Sequence, residues 1–149
     1  MPIGEFAIRQ VIVAPRNLPL LDGAKLMRQY HVGDIVITEE TDGKRRPVGI
    51  VTDRDMVLEV MAQGVDATKL SVGDIMTENP MTVREYEGVF QTIQLMRAKG
   101  ARRAPVVDKD GVLVGIVAAD DFLELLATEL SELVKLFSQE RKQETELRE

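Results

Sequence analysis

The chain carries one pattern twice. Setting Val48-Gly49-Ile50-Val51 on Val114-Gly115-Ile116-Val117 brings Ile35-Val36-Ile37 onto Ala104-Pro105-Val106, once three extra residues in the first hairpin are allowed. Further back, Leu20, Ala24 and Met27 fall on Val89, Ile93 and Met96. Both triplets keep the i, i+4, i+7 spacing of a helix with one buried face. With one more insertion, Val11-Ile12-Val13 lands on Met81-Thr82-Val83. A duplication of this kind restricts the chain to folds in which two equal units complete each other.

Each copy reads β-α-β-β-α. The first predicts a strand near 11–14, a helix near 18–31, strands near 34–38 and 47–51, and a helix near 53–63. The second predicts a strand near 81–84, a helix near 87–99, strands near 104–107 and 112–117, and a helix from about 119. Thr41-Asp42-Gly43-Lys44 and Asp108-Lys109-Asp110-Gly111 are natural hairpin turns. The expected class is α/β of the α+β kind, a duplicated repeat packed as one module with an extended C-terminal helix. Residues 7–63 form the first repeat, 64–75 a linker punctuated by Gly64 and Gly73, 76–127 the second repeat, and 128–149 a helical tail. Neither half, at about 55 residues, buries enough apolar surface to stand alone. The seam between them is then the natural place for a ligand.

Composition narrows the function classes. Of 149 residues, 44% are hydrophobic and 30% charged, the balance of a globular chain. A net charge of -6 argues against a nucleic-acid surface. There is no cysteine, which excludes disulfides, thiolate metal sites and thiol nucleophiles. No apolar run approaches the roughly 18 residues of a membrane span, and MPIGEF lacks a basic-then-apolar signal pattern. The expectation is a cytoplasmic protein with no membrane or nucleic-acid partner. His31 is the single histidine and ends an amphipathic helix, a surface position rather than a catalytic one. No Ser-His-acid, metal-ligand or P-loop spacing occurs, so neither an enzyme nor a metal site is expected. Asp53 with Asp55, and Asp120 with Asp121, read as acids complementing helix starts rather than as cation ligands.

Chemistry concentrates where the last strand of each copy runs into a helix. The first copy has GIVTDRD over residues 49–55, and the second has GIVAADD over 115–121. A helix start presents unpaired N–H groups that suit a phosphate. A first-turn carboxylate can accept two hydrogen bonds from a ribose diol. A glycine in the strand allows a base or another backbone to approach closely. Thr52-x-x-Asp55 is equally a variant capping box, whose side chains satisfy the helix's own N–H groups. The two readings are compatible. At the second junction Ala118 has no hydroxyl, and Asp121 reads as a first-turn acid complementing the dipole.

Three stretches, GDIVITEETDGKRRPVGIVTDRDMVLEVM, IMTENPMTV and ARRAPVVDKDGVLVGIVAADDFLELL, resemble the tandem CBS-domain module, a pair of cystathionine-β-synthase-type repeats. The resemblance spans roughly residues 7 to 127. It implies a regulatory module that binds adenine nucleotides or S-adenosylmethionine in clefts between the repeats. Mapped onto this chain it implies Gly49, Thr52 and Asp55, with Asp53 beside them, as ribose and phosphate contacts. Asp121 is their counterpart in the second copy, where Ala118 leaves a phosphate site incomplete. Arg102 and Arg103 are implied as phosphate partners, whereas Asp34 at the matching place in the first copy opposes a polyphosphate. The copies thus split the necessary groups, which favours AMP over ATP or S-adenosylmethionine as the regulatory ligand. Val32, Met76, Met81 and Ala101 are candidates to lie against adenine, and each is also an ordinary core residue. The resemblance further implies a homodimer and an unidentified regulated protein. The alternative is a ligand-free scaffold for dimerisation or protein interaction.

Beyond the repeats, Leu123, Leu126, Leu130, Leu133 and Phe137 follow 3-4-3-4 spacing, an a/d seam. It suits packing on the chain's own module, on a second subunit or on a partner helix. SQERKQETELRE, which follows, reads as a solvated helix end.

Overall fold

The computed structural model describes residues 1–148. Residues 1–117 form one compact unit, and the chain from Ala118 onward forms a second.

In the first unit, helix α1 (Ile3–Phe6) precedes strand β1 (Val13–Ala14), helix α2 (Leu20–Tyr30) and the hairpin strands β2 (Asp34–Thr41) and β3 (Lys44–Thr52). Helix α3 (Asp53–Asp55) continues without a break as a π-helical segment, Met56–Met61. A 3₁₀ turn (Ala67–Lys69), helix α4 (Val72–Ile75) and strand β4 (Thr77–Glu78) lead into the second copy. That copy has β5 (Val83–Arg84), α5 (Val89–Lys99), β6 (Arg103–Val107) and β7 (Leu113–Ala118). The strands form two sheets, ordered β1-β2-β3-β4 and β5-β6-β7. β1 lies parallel to β2, with Val13 opposite Val36, and β5 parallel to β6, with Val83 opposite Val106. The paired residues have the same sequence separation in both copies, so the extra residue expected between β1 and α2 is not needed. The duplicated α+β fold is therefore the one expected.

Local chemistry sets the boundaries. Pro19 lies just outside α2, which consequently starts at Leu20 rather than Leu18. His31 ends it in the left-handed conformation, φ 54°, and its N–H bonds Met27 O. The β2–β3 hairpin is longer than its hydrophobic stretch, because Asp42 and Gly43 both take positive φ, 56° and 73°, in a two-residue turn. That turn matches the strands' twist and keeps the pairing going to Thr41 and Lys44. In the second hairpin the Asp108 carboxylate accepts N–H bonds from Val112 and Asp110 at 3.0 and 2.8 Å. The Val112 bond foremost holds its pKa below the usual carboxylate value.

Four elements had no counterpart in the sequence reading: α1, the 3₁₀ turn, α4 and β4. They show how the copies join. The segment before the second copy bonds the first. Leu20 N–H reaches Leu70 O at 2.9 Å, Val72 N–H reaches Leu18 O at 2.9 Å, and β4 pairs antiparallel with β3. The segment before the first copy bonds the second. Gly4 N–H reaches Glu85 O at 2.8 Å, and Ile8 and Ile116 exchange N–H bonds at 3.0 Å each. Each copy therefore lends its leading segment to the other. Ile3 and Val72, which correspond, are both fully buried. Val72 and Met76 pack in a core with Ala14, Leu20, Met27, Ile35, Ile37, Val51 and Val60.

The exchange needs close backbone contact. A Cβ on Gly73 would lie 2.7 Å from Arg16 O, and one on the corresponding Gly4 would lie 3.0 Å from Glu85 O. Backbone cannot swing aside as a side chain can. Gly73→Ala is expected to lower stability by about 1–3 kcal/mol in urea unfolding, the usual penalty of overpacking. An unchanged urea midpoint would contradict this packing.

The second unit is helix α6, Ala119–Arg148. Among the described residues no helix is long and apolar enough to cross a membrane.

Candidate functional site

The copies meet at a cleft of about 590 Å³. Its walls come from the end of β3 and the start of α3 (Ile50, Thr52, Asp53, Arg54), from residues 77–81 including Thr77, Asn79, Pro80 and Met81, and from Lys99 to Arg103. Tertiary structure thus unites what the sequence divides, since Thr52 and Asp53 of one copy share a single cleft with Arg102 and Arg103 of the other. The expected split of hydroxyl and arginines between two sites does not describe this cleft. Four cationic side chains and one carboxylate line it.

Local geometry at GIVTDRD is that of a complete capping box. Asp55 N–H donates to Thr52 Oγ1 at 3.1 Å, and Thr52 N–H donates to Asp55 Oδ2 at 2.9 Å. Asp53 N–H donates to Gly33 O at 3.0 Å, and Arg54 N–H donates to Asp53 Oδ1 at 2.8 Å. The opening amides of this helix are therefore already satisfied by the protein. An anion in the cleft has to be held by side chains, not by the orphan N–H groups that a helix start ordinarily offers. At the second junction Ala118 N–H donates to Asp121 Oδ2 at 3.0 Å. That is half of the same box, kept without the hydroxyl.

The arginines differ in circumstance. Arg103 Nε lies 2.5 Å from Asp34 Oδ2, with side chains 35% and 20% exposed. These residues hold matching places in the two copies, so opposite charges at equivalent positions pair across the seam. Asp34 thereby stands as Arg103's partner beside the cleft. Arg102 is exposed and forms no salt bridge among the described residues. Arg54 and Lys99, which the sequence reading did not include among the site residues, also line the cleft. Their positions within the GIVTDRD motif and at the C-terminal end of α5 were visible in the sequence, but which wall each joins depends on the packing of the copies.

The other candidates fall elsewhere. Asp55 lines a neighbouring cavity of about 370 Å³ with Glu59, Asp74 and Thr77. Gly49 is buried, and a Cβ there would overlap the Met76 sulfur. Gly49 and Met76 therefore fit each other in the core, while Val32 packs partly buried against the same core. Met81 and Ala101 line the cleft. Asp121 belongs to the helical unit. Among the described residues no group of three or more His, Cys, Asp or Glu side chains is arranged to hold a metal ion.

Comparison with known proteins agrees with this architecture. The CBS domain family model matches residues 3–62 and 72–128, and the chain belongs to that family as a tandem CBS pair. An uncharacterized protein of Methanopyrus kandleri is 37% identical over 141 residues, 93% of this chain and 70% of that one. The CBS domain-containing protein YhcV of Bacillus subtilis is 35% identical over 112 residues, 75% of this chain and 76% of its own length. The CBS domain pair of protein MJ0100, solved in complex with 5'-methylthioadenosine and S-adenosyl-L-methionine, superposes with a TM-score of 0.75. It is 26% identical, and the match covers 87% of this chain and 98% of that one.

Two measurements test the local chemistry. Thr52→Ala is expected to lose about 1 kcal/mol of stability through its cap, and Thr52→Ser to recover most of it. A double-mutant cycle of Asp34→Ala and Arg103→Ala should give a coupling of about 0.5–1 kcal/mol, modest because solvent reaches the pair, and smaller at high salt. Additive losses would mean that the two charges do not support the seam.

Proposed function

We propose that this CBS pair is a regulatory module of the cytoplasm that binds an adenosine phosphate, AMP in preference to ATP or S-adenosylmethionine, between its repeats. The observation that carries the reading is the cleft itself, in which a threonine and an aspartate of one repeat face arginines of the other. Its volume falls within the roughly 300–1,000 Å³ common for small-molecule sites. Arg54, Lys99 and Arg102 supply positive charge for a phosphate. The Thr52 hydroxyl still has its proton to donate, because its oxygen acts only as acceptor in the cap. Asp53 offers a carboxylate for the ribose diol. Ile50, Pro80, Met81 and Ala101 are the apolar surface for adenine. The adenosine compounds bound by the MJ0100 pair support this ligand class.

Ligand occupancy would favour one packing of the repeats and so change affinity for an unidentified regulated protein, a population shift between two arrangements. The ligand-free scaffold draws support from the satisfied helix amides, which need no anion. Thermal unfolding with AMP, ADP, ATP, S-adenosylmethionine and NAD separates the two readings. A ligand at about 100 times its Kd adds about 2.7 kcal/mol, a shift of several degrees. Arg102→Ala should weaken the phosphate-bearing compounds at least tenfold while leaving the unliganded transition unchanged. A flat response to every compound favours the scaffold.

A further inference from the structure

We propose that α6 pairs with α6 of a second copy, running antiparallel. The helix is 30 residues long, and its apolar side is open to solvent at Leu123 (69% exposed), Leu130 (63%) and Phe137 (58%). Leu126, Leu133, Val134 and Leu136 are exposed with them. Solvent-exposed large apolar side chains in a continuous row mark an interaction surface. The row follows 3-4-3-4 spacing from Leu123 to Phe137, the spacing by which two helices interlock. Glu140 and Glu144 take the next two seam positions and end it. The seam is therefore short, and its midpoint lies between Leu130 and Leu133.

Charge along the helix selects the occupant and its direction. The front half carries Asp120, Asp121, Glu124, Glu129 and Glu132, with no lysine or arginine before Lys135. The back half carries Lys135, Arg141, Lys142 and Arg148 among Glu140, Glu144 and Glu146. Two parallel copies would set five acids against the same five acids. Two antiparallel copies centred on the seam set Asp121 level with Lys142 and Asp120 about 3 Å along the axis from Arg141, at 1.5 Å per residue. The same register places Leu126 against Phe137 and Leu130 against Leu133, so each row covers the other. The helix dipoles also oppose in this arrangement. A second copy thus supplies both the apolar face and the charge pattern that this helix lacks.

Sedimentation of the full chain should give a dimer, and Leu130→Glu with Phe137→Glu should give a monomer whose thermal transition remains cooperative. A wild-type monomer overturns the proposal, and so does a dimer that survives both substitutions. Direction is read from disulfides, since the native chain has no cysteine. Ala127→Cys on one chain and Val134→Cys on another should cross-link when mixed. Alone, each should not. Like positions then lie about 13.5 Å (Ala127) or about 7.5 Å (Val134) apart along the axis at 1.5 Å per residue, before the spacing between the helices is added. Both exceed the roughly 7 Å a disulfide spans between Cα atoms. Efficient cross-linking of either variant alone overturns the antiparallel arrangement.

Discussion

The exchange of leading segments between the two copies is the constraint on which the rest of the first unit depends. Residues 70–78 close the first sheet and fill its core with Val72 and Met76, while Gly4 and Ile8 bond the second copy. Neither copy has a complete set of backbone partners without the other. Backbone N–H and C=O groups buried without partners are costly, so the exchange binds the folding of each copy to that of its twin. It also fixes the cleft, since residues 77–81 run along it immediately after this crossing.

Within that frame, the helix start at Thr52 shows how one motif serves structure and leaves room for chemistry. Its amides are occupied by Gly33 O, by the Asp53 carboxylate and by Thr52 Oγ1. Positive charge in the cleft therefore comes from side chains contributed by both copies. The Asp34–Arg103 pair adds a second link across the seam, made from the same position in each repeat. Duplication placed the two positions symmetrically, and divergence gave them opposite sign.

Much of this was legible in the sequence. The repeat, the hairpins and the main helices follow from hydrophobic spacing and turn residues, and the capping box was readable from Thr52 and Asp55. Helices α1 and α4, of four residues each, and β4, of two, are too short to leave a periodic signal. One clue did exist, because Ile3-Gly4-Glu5-Phe6-Ala7 matches Val72-Gly73-Asp74-Ile75-Met76 in order and character. It extends the duplication to the leading segments and marks both glycines as places of close approach. Gly49 and Met76, far apart in the sequence, fit against each other, a neighbour relation that only the packing shows.

By itself the sequence determined the duplicated β-α-β-β-α plan, the family, the capped helix start and the apolar seam of the tail, because each of these is written in local spacing. Only the tertiary structure decided which groups share a cleft. Thr52 and Asp53 meet Arg102, Asp34 pairs with Arg103, and Asp55 turns to a neighbouring cavity. The first two relations join residues about fifty to seventy positions apart, and the crossing of backbone segments that brings them together leaves no period along the chain.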